Sequence, residues 1–212
     1  MSQVIASTPA EAADAAFAPA DYFLGLAQRA IASGNETRIA LTGMGEVMLY
    51  PARKMYSADL SDPEGYFQAP AGQFRVSSLG ASAEPAHPRP IDELLWMAAF
   101  HASKGRMIEG TSMFDVVQFH HWPNLPKLPH TANTARICAL LTRHPTTIML
   151  AHRLLGIKRE EVYRVYSAAY AAGIANIIHQ NPEATSASEP EPEDRSESRG
   201  LFRSLFAKIS GL

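Results

Sequence analysis

Histidine is the residue type in this chain best suited to metal binding or acid–base chemistry, and the sequence holds eight. His120 and His121 are adjacent, so on a strand they would point to opposite faces and could not easily share one ion. Asp115 and Glu109 lie near this pair, but no further reactive group converges on them. The other candidates have no carboxylate at ligand spacing: His101, His130, His144 and His152. The pattern predicts no metal site and no catalytic residue.

Two glycine-containing segments begin known chemical motifs without completing them. Gly43-Met-Gly45 lacks the later glycine of a dinucleotide-binding loop, because Met48 occupies that position, and no phosphate-loop lysine follows. Gly110-Thr-Ser112 lacks the closing glycine of a nucleophile elbow, where Phe114 stands. We therefore expect a non-enzymatic protein without a cofactor. A hydrolase that uses the paired histidines is kept as an alternative.

Hydrophobic periodicity predicts an α+β arrangement in the first part of the chain. Asp21 is placed to cap a helix that ends at Ser33-Gly34, and a further helix begins near Ile91 and ends near Gly105. Four strand-like runs could form one sheet: Arg38–Thr42, Glu46–Tyr50, Lys54–Ala58 and Gln73–Ser78. The predicted fold class is α+β, a small N-terminal sheet with helices packed on a C-terminal three-helix module.

Residues 131–178 read as three consecutive helices. Thr146 or Thr147 can cap the second helix, and Gly156 can end it with a positive φ. The single cysteine, Cys138, falls on the apolar pattern of the first helix and is expected to be a small buried hydrophobe. Before them, residues 120–129 contain three prolines and predict an ordered connector in which Trp122 plugs the core.

The passage TTIMLAHRLLGIKREEVYRVYSAAYAAGI resembles the winged helix-turn-helix superfamily, and the resemblance covers residues 131–178. Gly156 matches the glycine that ends the second helix, with the aliphatic residues Leu155 and Ile157 on either side. Val162 matches the aliphatic anchor of the third, recognition helix. Two short helices that cross steeply need such a tight turn and a small apolar seam.

The resemblance implies that the third helix presents residues to a protein partner or to DNA: Arg159, Tyr163, Arg164, Ser167 and Tyr170. Glu160 and Glu161 would repel phosphates at the end nearest the DNA, and little chain remains for a wing. The family's small residue four positions before the glycine is replaced by His152, with Ala151 beside it. This departure indicates a different helix crossing or a turn with one extra residue.

The N-terminal half, a helix followed by TRIALTGMGEVMLYPARKMYSADL, resembles the N-terminal regulatory domain of PatA-type bacterial signalling proteins. The match rests on Gly43, Gly45, the alternation around Val47–Tyr50 and the Ile91–Ala102 helix. It implies a signalling adaptor without catalytic residues.

Charge and composition divide the chain further. Residues 1–126 carry a net charge of −5, residues 127–180 carry +5, and residues 181–199 carry −4. Such asymmetry suggests separate modules and a middle that faces polyanions. The predicted organisation is a mobile leader (1–18), an α+β regulatory domain (19–126), a helix-turn-helix-like module (127–180), a disordered acidic Pro/Ser/Glu linker (181–199) and a short amphipathic helix (200–212).

The final helix, RGLFRSLFAKISGL, is predicted to be a targeting helix. Its apolar face holds Leu201, Phe202, Leu205, Phe206 and Ile209, with basic residues opposite. A membrane surface, a protein partner and the body of the protein itself are all open as its receiver. We predict a cytoplasmic signalling or localisation adaptor that binds an unidentified protein, with peripheral contact at the inner membrane face as an extension. A DNA-binding transcriptional regulator is the alternative, and the oligomeric state is not set by the sequence.

Overall fold

Five strands form an antiparallel sheet in the N-terminal half of this computed structural model, which describes residues 16–79 and 87–179. The strands are β1 (Thr37–Leu41), β2 (Gly45–Tyr50), β3 (Met55–Leu60), β4 (Arg75–Ser78) and β5 (Arg89–Pro90), in the order β4-β1-β2-β3-β5. The predicted β1–β2 hairpin is confirmed, with Thr37 opposite Leu49. At Gly45 the φ is +112°, and an added Cβ would overlap the carbonyl oxygen of Asp59, so only glycine fits.

Three helices cover the apolar face of this sheet: α1 (Phe23–Ser33), α2 (Pro63–Gln68) and α3 (Ile91–Ser103). Helix α1 ends at Gly34 as predicted, but Asp21 lies in a 3-10 turn and makes no side-chain cap. Helix α2, which the periodicity did not predict, is capped by Asp62, whose side chain accepts from the Gly65 amide at 3.1 Å. The core beneath the helices includes Phe23, Leu24, Ile39, Val47, Leu49, Tyr66 and Phe67.

The second half contains helices α4 (Thr134–Arg143), α5 (Ile148–Leu155) and α6 (Arg159–Ala171) where three helices were predicted. The Thr147 side chain caps α5 by accepting from the Leu150 amide at 3.1 Å, and Gly156 ends it with φ +63°. A three-stranded sheet of β7 (Thr146–Thr147), β6 (Val116–Phe119) and β8 (Ala175–His179) flanks the helices in that order. The α+β fold class is confirmed.

Helix α3 joins the two halves. Leu94 and Ala98 belong to the core under the five-stranded sheet, while Trp96 and Phe100 belong to the core around α6. The indole N–H of Trp96 also donates to the carbonyl oxygen of Pro129 at 3.1 Å. Because one helix supplies both cores, the described residues form a single compact unit.

Residues 1–15 of the predicted leader (1–18), the acidic linker and the targeting helix lie outside the described residues, and with them Leu201, Phe202, Leu205, Phe206 and Ile209. The leader prediction is wrong at its last residues, because Phe17 is 1% exposed and its amide donates to the Met107 carbonyl oxygen at 2.8 Å. Within the described part of the chain, no helix combines the length and the hydropathy needed to cross a bilayer.

Candidate functional site

The third helix of the module, α6, lies inside the protein instead of presenting a surface. Tyr163 is 3% exposed and Ser167 is completely buried, so the prediction that these two residues face outward is wrong. The physical reason is that the segment after α3 covers this side of α6. The Tyr163 hydroxyl lies 3.8 Å from the Met113 sulfur, and the Ser167 hydroxyl bonds to the backbone of Arg106 and Ile108. Helix α3 also packs along α6. At the N-terminal end of α6 the chain around Gly105 also lies close to the helix, since a Cβ added at Gly105 would be 2.8 Å from the Cβ of Glu160.

Ser167 connects α6 to the segment that follows α3. Its hydroxyl oxygen accepts from the buried Ile108 amide at 3.0 Å and donates to the Arg106 carbonyl oxygen at 3.2 Å. The Arg106 guanidinium in turn lies 5.8 Å from the ring centre of Phe17 and 5.9 Å from that of Tyr22. Ser167 therefore holds the interior together and does not face a partner.

The other predicted contact residues of α6 are half-buried. Arg164 places its guanidinium 5.4 Å from the ring centre of Phe100, and its Nε is buried without a hydrogen-bond partner among the described residues. Tyr170 packs against Tyr166 with ring centres 5.9 Å apart, and burial raises the pKa of Tyr166 above its usual range. Arg159, at the start of the helix, is also partly covered. The arrangement is that of a central structural helix.

Among the described residues of the module, the exposed large apolar side chains are Leu150 and Leu154 on α5 and Ile178 on β8. Leu150 is 42% exposed and Leu154 is 55% exposed, one helical turn apart on the same face. Phe114, 46% exposed, lies near the N-terminal end of α5, because the Met149 amide donates to the Met113 carbonyl oxygen at 3.0 Å. We call Phe114, Leu150 and Leu154 the apolar patch. The sequence alone did not single it out, because apolar residues at helical spacing are equally typical of a face turned to the core.

A shallow groove of about 340 Å³ runs between α4 and α5. Its apolar lining is Ala139, Leu140 and Leu155, and its polar lining is entirely basic: Arg136, Arg143 and His144. Arg136 is held in place, because its guanidinium donates to the Asn133 side-chain oxygen at 3.1 Å and to the Leu155 carbonyl oxygen at 2.9 Å. The groove therefore combines an apolar floor with fixed positive charge.

The departure at the helix crossing has a simple structural outcome. Ala151 is completely buried in the core of the module, whereas His152 is half-buried at its edge. The small buried residue of α5 is thus five positions before Gly156.

The histidines do not converge on a reactive centre in the structure. Across residues 16–79 and 87–179, no group of three or more His, Cys, Asp or Glu side chains is placed to hold a metal ion. His120 and His121 are exposed, and Asp115 is buried as a turn residue whose carboxylate accepts from the Ser112 amide at 2.8 Å. This geometry offers no support to the hydrolase alternative.

Two sequence expectations about single residues have opposite outcomes. Cys138 is completely buried, as predicted, and burial raises the pKa of its thiol to about 12. Trp122, predicted to plug the core, is 49% exposed and lines a cleft of about 260 Å³ with His121 and Glu93. The Trp122 prediction is wrong because Trp96, from α3, fills the core between the halves.

Comparisons with protein-family models, with curated proteins and with solved structures find no match to this chain.

Proposed function

We propose that this protein is a non-enzymatic signalling or localisation adaptor that binds another protein through the outer surface of its three-helix module. The observation that carries the proposal is the inversion of the expected surface. Helix α6 is buried against α3, while the apolar patch on and beside α5 is open to solvent. Exposed contiguous apolar side chains commonly mark protein-interaction sites.

The same observation weighs against the transcriptional regulator. A helix that reads DNA must lay its outward side chains along the base edges of the major groove. Tyr163 and Ser167 cannot do so without separating α6 from the segment after α3, which would break the two hydrogen bonds of the Ser167 hydroxyl. Glu160, at the leading end, adds a negative charge where phosphates would lie.

The targeting part of the proposal rests on the sequence of residues 200–212. Leu201, Phe202, Leu205, Phe206 and Ile209 recur at helical spacing opposite basic residues, as in helices that bind membrane surfaces. One short helix of this kind supports weak, reversible association. In the proposed function it brings the bound partner to the membrane.

The experiment is affinity capture from a lysate of the source cell with full-length protein. We expect Leu150→Glu combined with Leu154→Glu to lose the proteins that the wild type retains, because charge on the apolar patch opposes its burial. Val76→Glu is the matched control, since Val76 is 53% exposed on the edge strand β4. Equal capture by all three proteins, or a salt-dependent shift of DNA fragments by the wild type, would contradict the proposal.

A further inference from the structure

We infer that the groove between α4 and α5 receives an acidic amphipathic helix of the partner protein. The inference rests on the proposed function and adds the chemistry of the partner. Three properties of the groove carry it: its apolar floor, its uniformly basic lining and its length.

The charge of the groove predicts that the partner segment is negatively charged. Arg136, Arg143 and His144 line the groove, and no carboxylate lines it among the described residues. The two acids of the surrounding module lie outside this lining. Glu161 accepts from the Asn133 side-chain amide at 2.7 Å, and the oxygen of the same amide accepts from Arg136 at 3.1 Å, so Glu161 lies behind Arg136. The lining itself therefore presents positive and no negative side chains to a partner.

The apolar floor of the groove favours a protein partner over a nucleic acid. A DNA or RNA backbone gains from arginines but leaves the leucines beneath it unmatched. Leu140 and Leu155 are each half-buried in the groove, and Leu154 extends the apolar surface along the outer side of α5. Side chains that fill this floor must be apolar, so the fitting partner alternates apolar and acidic faces.

The dimensions favour a helix. The lining of the groove follows α4 from Arg136 to Arg143, which corresponds to about 10 Å at about 1.5 Å per residue, and α5 contributes Leu155. That length matches about two turns of a partner helix, whose apolar side chains recur three or four residues apart. Both walls are helices already fixed in the module, with Arg136 joining them through its bond to the Leu155 carbonyl oxygen at 2.9 Å. The groove is thus formed before the partner arrives, which lowers the entropic cost of binding.

The test uses two synthetic peptides and the full-length protein. Each peptide has roughly 15 residues with leucine at helical spacing. One carries glutamate on its flanks and the other carries lysine at the same positions. Fluorescence anisotropy at low salt is expected to show that the glutamate peptide binds at least about tenfold more tightly than the lysine peptide.

A pair of variants locates the binding. Arg136→Glu with Arg143→Glu is expected to lower the affinity for the glutamate peptide by about tenfold or more, because attraction becomes repulsion at two positions. Arg29→Glu with Arg75→Glu changes the net charge by the same amount at exposed positions of α1 and β4, and is expected to leave binding unchanged.

Three results would overturn the inference. They are equal or absent binding of the two peptides, insensitivity to the groove variant, or tighter groove-dependent binding of a mixed-sequence DNA duplex or of phosphatidylglycerol vesicles. Lysate capture that is lost in the Leu150→Glu and Leu154→Glu variant would, in that case, still support the adaptor. The failure of the groove and the failure of the adaptor are therefore distinguishable.

Discussion

Replacement of Ser167 by alanine separates a structural role from a contact role for helix α6. The variant removes the hydroxyl that accepts from the Ile108 amide at 3.0 Å and donates to the Arg106 carbonyl oxygen at 3.2 Å. Ile108 is 2% exposed, so its N–H would be left without a partner at a cost of about 1–3 kcal/mol. The lost bond to the carbonyl oxygen adds about 0.5–1.5 kcal/mol. We expect Ser167→Ala to lower the free energy of unfolding by about 1.5–4.5 kcal/mol in total.

Urea unfolding followed by far-ultraviolet circular dichroism measures this change. The corresponding fall in melting temperature is about 3–18 °C, at about 2–4 °C per kcal/mol for a chain of this size. Ser77→Ala, on the exposed edge strand β4, is the control and should stay within about 0.5 kcal/mol of the wild type. If Ser167→Ala unfolds like the wild type but loses captured partners, α6 is a contact helix and the reasoning fails.

Three further predictions concern other parts of the chain. Gly156→Ala should lower the free energy of unfolding by about 1–2 kcal/mol through the positive φ alone, because the new Cβ meets nothing within 4 Å. The control is Gly72→Ala, which also has open space but no positive φ and should unfold like the wild type. Equal unfolding midpoints for the wild type and both variants would refute the turn geometry. The Cys138 thiol should resist a disulfide reagent at about pH 8 in the native protein, because burial raises its pKa to about 12. It should react fully in concentrated guanidinium chloride, and a rapid reaction in the native protein would contradict this. Phe202→Asp with Phe206→Asp should abolish flotation of the full-length protein with anionic vesicles while leaving its melting temperature unchanged, and a lower melting temperature would instead assign the segment to the body of the protein.

Local signals were sufficient to predict most of the helices and strands. The β1–β2 hairpin follows from alternating side chains around Gly43 and Gly45, both of which have positive φ in the structure. Helix α5 begins after the capping side chain of Thr147 and ends at Gly156, which has a left-handed backbone conformation. These features depend on backbone conformation within a few residues, so the sequence around each position contains the necessary information. The short helix α2 escaped prediction because six residues are too few to show a period.

The choice of surface was decided by tertiary packing alone. Helix α6 has apolar, small or aromatic residues on almost every side, so its sequence does not mark one face as outer. The segment after α3 covers Tyr163 and Ser167. The core between the halves is filled by Trp96, which leaves Trp122 at the surface. Such long-range partners are selected by volume and shape across the whole fold, and no local pattern encodes them. The sequence by itself therefore determined the elements and the turns, whereas only the packing of α3 and of the segment after it on α6 determined that α5 is the helix left open.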